Sequence, residues 1–290
     1  MTLASHAPAV TRPRPRDHIV DVLIAERAPK LSTSPLWPVV RPALYRMLDY
    51  AKARRMADAI AAMPGAQALE HVSDLLALEV TARGLERIPR EGRLVVVCNH
   101  PTGIADGIAV HDELKAIRPD LCFYANSDAL RVSPPLGEVL IPVEWVEAKR
   151  TRERTRLTLQ LTKEALEAER CLVIFPAGRL ARRQADGLLA DPPWAPSAVS
   201  IARKYSAPVV PIHVAGPWST LFHLFNRFSP ELRDMTLFHE LLNKRGRAFS
   251  LTVGRPIPPE ALAGEPGEVT LRLKHHVERT LPADPDAAFA

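Results

Sequence analysis

Leu94-Val95-Val96-Val97-Cys98-Asn99-His100-Pro101-Thr102-Gly103-Ile104-Ala105-Asp106-Gly107 is the stretch that decides how this chain is read. The run Leu94–Cys98 is short, apolar and β-branched, which predicts a buried strand. Residues 104–117 carry a helical pattern, and a proline and a glycine punctuate the link between the two. Where strands give way to helices, ligands gather outside the carboxyl ends of the strands. His100 stands at such an end, and Asp106 stands near the start of the helix that follows. A carboxylate can hold an imidazole in one tautomer and stabilise it once charged, while the other ring nitrogen takes a proton from a hydroxyl. Histidine suits this task because it titrates close to neutral pH. A plainer reading exists: the helix dipole favours an Asp in a first turn, and a loop histidine can simply be hydrogen-bonded. On the spacing of the pair alone, both readings stay open.

Outward from this stretch the pattern alternates. Strands are expected at 121–125, 139–143, 171–175, 209–214 and 250–253, and helices at 152–169, 195–205 and 269–281. On the first of these helices Leu157, Leu161, Ala165 and Leu166 fall on one face. The alternation predicts an α/β fold, a mixed, largely parallel sheet flanked by helices. Upstream, Trp37, Val40, Leu44, Met47 and Leu48 recur at helical steps, so residues 36–63 read as one helix stopped by Pro64-Gly65, with a second over 66–78. The expected organisation is a disordered tail over 1–17, a helical N-terminal section over 18–80, an α/β domain over 81–281 and a C-terminal tail over 282–290.

With 47% hydrophobic residues the chain can build a sizeable core, and its 28 prolines against 13 glycines imply stiffened loops. The net charge of +5 suits nucleic acid, anionic lipid or phosphorylated substrates. Sparse aromatics and the lack of a zinc-finger or RNA-stacking signature exclude nucleic acid as the favoured partner. Cys98, Cys122 and Cys171 each lie in an apolar run and read as small buried hydrophobes. An odd cysteine count with no C-x-x-C points away from disulfides and zinc and towards a reducing, cytoplasmic setting. The N-terminus lacks the apolar core of a signal peptide. No run approaches the ~18 apolar residues of a membrane span, so any membrane contact is expected at the surface.

Asn99-His100-Pro101-Thr102-Gly103-Ile104-Ala105-Asp106-Gly107 resembles the first signature of the glycerolipid (lysophospholipid) acyltransferase superfamily. Five residues, Pro101 to Ala105, separate His from Asp, where the commonest signature has four. The longer spacing resembles the bacterial hemolysin-like, or ornithine-lipid-type, branch, although Thr102 and Ala105 are not its usual residues. Further blocks follow in order. Leu136–Pro142 resembles the second, with Val143 where an Arg is usual. Phe175-Pro176-Ala177-Gly178-Arg179 resembles the third, with Ala177 in place of the common Glu. Val210-Pro211-Ile212-His213 resembles the fourth, and Glu240–Arg247 resembles a segment typical of the branch.

The resemblance implies an O-acyltransferase, similar to those acting on 1-acylglycerol-3-phosphate, in membrane-lipid biosynthesis. It would move a fatty acyl group from acyl-CoA or acyl-carrier protein to a hydroxyl of a lysophospholipid or lyso-aminolipid. His100 would be the general base and Asp106 its support, with no metal and no cofactor besides the acyl co-substrate. Backbone N–H groups at the Gly178 turn can approach anionic oxygens, and Arg179 and Arg182 suit phosphate or carboxylate. Thr102 and Gly103 are the remaining expected substrate-binding positions. The implied location is cytoplasmic, peripheral on the inner face of the cytoplasmic membrane and in contact with anionic lipid. The helix over 36–63 and the aromatic stretch over 221–242 could serve either core packing or that lipid contact. The absent second-block Arg and Ala177 raise a rival, a non-catalytic lipid-binding homologue. An acyl-thioesterase, in which water replaces the acceptor, is another. A serine hydrolase is disfavoured because no G-x-S-x-G occurs.

Overall fold

The computed structural model describes residues 17–144, 150–183 and 189–290. The N-terminal section forms α1 (Ile19–Arg27), α2 (Pro29–Ser32), α3 (Trp37–Met47), α4 (Tyr50–Ile60) and α5 (Gly65–Leu76). The strands are β1 (Glu79–Arg83), β2 (Leu94–Cys98), β3 (Leu121–Asn126), β4 (Leu140–Val143), β5 (Cys171–Ile174), β6 (Arg182–Arg183), β7 (Leu189–Ala190), β8 (Val209–Ala215) and β9 (Ala248–Val253). Among and after them come α6 (Ile104–Leu114), α7 (Asp128–Val132), α8 (Arg152–Glu167), α9 (Ser197–Lys204), α10 (Thr220–Phe228), α11 (Pro230–Met235), α12 (Leu237–Leu242) and α13 (Pro266–His275).

Seven strands make one sheet in the order β1-β9-β8-β2-β5-β3-β4, and β6 pairs with β7 in a separate antiparallel ribbon. The strands from β8 to β4 run parallel, whereas β9 is antiparallel to β8 and carries β1 parallel to itself. The sheet is therefore mixed and largely parallel, as the alternation predicts. β2 lies between β5 and β8, and all five of its residues are buried, which is why it reads as a continuous apolar run rather than an alternating one.

The strand period of two divides β2 between two cores. Leu94, Val96 and Cys98 join Val20, Met56, Val72, Ile108 and Leu241, that is, α1, α4, α5, α6 and α12. Val95 and Val97 join Leu166, Ala198, Val269 and Leu273 from α8, α9 and α13. The result is three layers, with the N-terminal helices packed directly on one sheet face. All three cysteines are buried and unpaired, and burial pushes the Cys122 thiol up to about 11.

Several local expectations change. The helix expected over 36–63 is two helices, because Asp49 takes a left-handed backbone (φ 54°) between α3 and α4. The sheet begins at Glu79, two residues before the expected boundary at 81. β1 went unread because it alternates exposed and half-buried positions on the sheet edge and has no apolar run. On α8 the buried line is Thr162, Ala165 and Leu166, and Leu157 is 46% exposed. The last helix gives way after His275 to a π-helical turn, His276–Thr280. The tail expected over 1–17 lies, apart from Asp17, outside the described residues. The C-terminal segment is docked: the Phe289 ring meets His276 edge-on with centroids 5.7 Å apart, and Arg87 pairs with Asp286.

Candidate active site

The chain leaves the central strand β2 at Cys98 and is anchored at once. Asn99 donates from Nδ2 to the Val214 carbonyl (2.9 Å) and accepts from the Val214 N–H (2.7 Å), clamping the loop to the end of β8. His100 follows. Its ring lies against Phe175 with centroids 4.6 Å apart. Its side chain is 16% exposed, so the ring stays reachable while Asp106 behind it is wholly buried.

Asp106 is the third residue of α6, and there it does two things. Oδ2 accepts from the N–H groups of Thr102 (2.9 Å) and Gly103 (3.0 Å), and Oδ1 accepts from the Thr102 hydroxyl (2.6 Å). The first-turn role is therefore real: the carboxylate satisfies N–H groups that the helix start leaves open. The same Oδ2 also lies 3.0 Å from His100 Nδ1. That ring N–H does not point along the line to the oxygen, so the contact is an ion-pair approach rather than an aligned hydrogen bond. The two readings of Asp106 are compatible, since one carboxylate reaches both the loop N–H groups and the ring.

Gly103 makes the turn possible. Its φ of +95° belongs to a region L residues rarely adopt, and a Cβ there would approach Leu180 at 3.2 Å. Thr102 is 1% exposed, and its N–H and hydroxyl both donate to Asp106. Gly103 is buried too, with its N–H on the same carboxylate.

The third-block loop leaves the neighbouring strand β5 and closes over the same place. Ala181 donates its N–H to the His100 carbonyl at 2.9 Å. Gly178 turns the loop with φ +59° and donates to the Phe175 carbonyl. Arg179 is exposed. Burial first, and then the neighbouring cations of Arg233 and Arg179, make the Arg182 guanidinium easier to deprotonate than usual. Asp234 opposes this effect with its negative charge. Arg233, from α11, belongs to none of the blocks, and nothing in the sequence links it to the third-block loop. The second block sits on edge strand β4, separated from β2 by β5 and β3.

One carboxylate here was not anticipated. Asp191, just after β7, is 5% exposed and accepts the His100 N–H on both oxygens, at 3.1 and 3.0 Å. Trp194 Nε1 donates to the same carboxylate at 2.9 Å. Burial pushes the Asp191 carboxyl up to about 7, with the Trp194 hydrogen bond opposing and Glu278 adding to the rise. Asp191-Pro192-Pro193-Trp194 lies in a proline-rich loop with no periodicity to mark it.

A family model described as "Acyltransferase" matches residues 79–215, a span that holds the whole arrangement from β1 to the end of β8. Residues 79–215 thus match an acyltransferase domain, and this match and the relatives below support the glycerolipid (lysophospholipid) acyltransferase superfamily. The chain is similar to a lyso-glycine lipid O-acyltransferase of Phocaeicola vulgatus, 28% identical over 200 residues, covering 67% of this chain and 70% of that protein. It is also similar to a lyso-glycine lipid O-acyltransferase of Bacteroides thetaiotaomicron, 26% identical over 200 residues, covering 67% of this chain and 71% of the other. Among solved structures it is similar to the 1-acyl-sn-glycerophosphate (LPA) acyltransferase of Thermotoga maritima. The TM-score is 0.48 at 17% identity, with 74% of this chain and 79% of that one covered. The domain match and the named relatives together support an O-acyltransferase.

Proposed function

We propose that the protein transfers a fatty acyl group from acyl-CoA or acyl-carrier protein to the hydroxyl of a lyso-aminolipid, as a step in membrane-lipid biosynthesis. The observation that carries this reading is the buried Asp106 carboxylate 3.0 Å from Nδ1 of a reachable His100. That contact leaves Nε2, across the ring, to take the proton of the acceptor hydroxyl. The oxygen attacks the thioester carbonyl, and the tetrahedral intermediate collapses with loss of the thiolate. The imidazolium returns its proton to that thiolate. Asp106 stabilises the imidazolium while it exists. Acceptors of the similar proteins are named as lyso-glycine lipids, which favours an aminolipid acceptor over a lysophosphatidate. Arg179, Arg182 and the Gly178 turn supply cationic and N–H groups for the anionic head of such an acceptor.

A lipid acceptor has to be met at its membrane. No described helix is long and apolar enough to cross one. The α2–α3 stretch exposes Leu36 and Val39 among Arg41 and Arg46, and α10 exposes Leu224 and Phe228 beside Arg227. Glu231 accepts the N–H groups of Lys30 and Leu31, tying α2 to the α10–α11 corner. Apolar side chains rimmed by arginine suit an anionic inner leaflet of the cytoplasmic membrane.

The test is acyl transfer by purified protein, with acyl-CoA or acyl-carrier protein as donor and lyso-glycine lipid, lyso-ornithine lipid or lysophosphatidate as acceptor. Acylated aminolipid should form, and His100→Ala should abolish it. Full activity in His100→Ala would remove the proposed role of the histidine. Donor hydrolysis that no acceptor diverts would replace the reading with a thioesterase.

A further inference from the structure

The His100 main chain is held as firmly as its ring. Its carbonyl accepts from Ala181, and its N–H points into the Asp191 carboxylate. Asp191 is in turn fixed from two sides. Trp194 Nε1 donates to the carboxylate, and the Asp191 N–H donates to Glu278 Oε1 at 2.7 Å. Glu278 lies in the π-helical turn His276–Thr280 and pairs with Lys274. A π turn is an uncommon interruption of a helix and recurs at functional sites. Here it carries the glutamate that reaches the loop behind the catalytic histidine. None of these four residues belongs to the His–Asp signature.

We propose that Asp191 is a positioning residue for His100: its carboxylate fixes the peptide that precedes the imidazole, and its ionised form adds a second negative charge behind the ring when the proton arrives. This rests on the reading of His100 as general base. Asp106 approaches the ring at Nδ1 and Asp191 holds the backbone, so the histidine sits between two buried carboxylates.

The groups facing Asp191 make its charge responsive to pH. Glu278, from the π turn, repels it, and His100, from the loop after β2, attracts it. Lys274 compensates Glu278 from α13, and Cys98 on β2 feels both Asp191 and Asp106. His213 on β8 bonds the Val277 carbonyl and senses Glu278, while its own burial keeps it neutral more readily than usual. Desolvation dominates, and the carboxyl is pushed up to about 7. Asp191 therefore changes charge near neutral pH, and the active form requires its carboxyl deprotonated.

Two measurements test this, one independent of catalysis. In protein labelled at histidine Cε1, the His100 resonance, assigned by its loss in His100→Gln, should show two inflections in the wild type. In Asp191→Asn, which mimics the protonated acid, the inflection contributed by Asp191 should vanish and only the ring's own should remain. In Glu278→Gln, which keeps an acceptor for the Asp191 N–H and removes the repelling charge, it should move to lower pH. In turnover assays Asp191→Asn should lower kcat about tenfold with KM for donor and acceptor little changed. The acid limb of its pH profile should be one proton shallower. A purely structural Asp191 would reduce the folded fraction and leave both the limb and the resonance unaltered. A single His100 inflection, unmoved by Glu278→Gln, would overturn the proposal even if Asp191→Asn fails to fold. Full activity in His100→Ala would instead remove the general-base reading, with the resonance result standing by itself.

Discussion

Asp106→Ala and Asp106→Asn should separate the two tasks of one carboxylate. In the wild type the carboxylate accepts the Thr102 N–H, the Gly103 N–H and the Thr102 hydroxyl, all in a wholly buried place. Alanine leaves these donors without a partner where water cannot replace it. At about 1–3 kcal/mol for each of the three unsatisfied buried donors, the loss is on the order of 3–9 kcal/mol, a large part of the total stability of an ordinary domain. Asparagine can put its oxygen at the Oδ2 position, where it still accepts both N–H groups, and the Thr102 hydroxyl can rotate to accept from the amide. What disappears is charge assistance, roughly 1–2 kcal/mol of stability. The imidazolium also loses its counter-charge, so turnover should fall about 10²–10⁴-fold. The assay is thermal or urea unfolding of both variants, beside thiol release from acyl-CoA in the presence of a lysolipid. Wild-type turnover in a folded Asp106→Asn would refute the idea that Asp106 serves His100. Equal destabilisation by Asn and Ala would refute the account of its capping role.

Three further outcomes are expected. Gly103→Ala should cost about 1–3 kcal/mol from the positive φ, besides pressing on Leu180, and should be seen as a lower Tm together with reduced turnover. The folded state holds the Asp191 proton more tightly than the unfolded chain, whose carboxyl titrates near 3.8, so this group's contribution to stability falls as pH rises from about 4 to about 7. Urea titrations across that window should show a decline on the order of 4 kcal/mol from this residue, and Asp191→Asn should flatten it. Leu36, Val39 and Phe228 are 66%, 77% and 73% exposed, so a triple serine variant should fold normally. It should sediment at least about tenfold less well with phosphatidylglycerol vesicles, and unchanged binding would remove these residues from the proposed membrane contact.

Legibility followed the range of the forces involved. The strands β2, β3, β4, β5 and β8 are readable to within about one residue because each is built on a local run of mostly apolar residues. The edge strand β1 and the ribbon of β6 and β7 were not, because their order comes from partners rather than from their own side chains. The single helix expected over 36–63 failed at Asp49, where no proline or glycine announces the left-handed residue that turns α3 into α4. The second block was readable as a motif, yet its strand lies at the sheet edge, away from β2.

What the sequence determined by itself is the chemistry at the head of α6. Strand run, glycine turn, His100 and Asp106 are neighbours in the chain, and their contacts close within three to six positions, so local spacing carries them. What only the tertiary structure decided is the setting of that pair. Asp191 reaches the His100 N–H across 91 positions, and Glu278 reaches Asp191 across a further 87. Arg233 joins Arg179 and Arg182 from another helix. Such bonds form because the parallel strands bring their carboxyl ends, and the loops after them, to one edge of the sheet. No periodicity in the intervening residues encodes which buried donor will meet which carboxylate there. Desolvation then sets their charges, and desolvation is a property of the assembled fold.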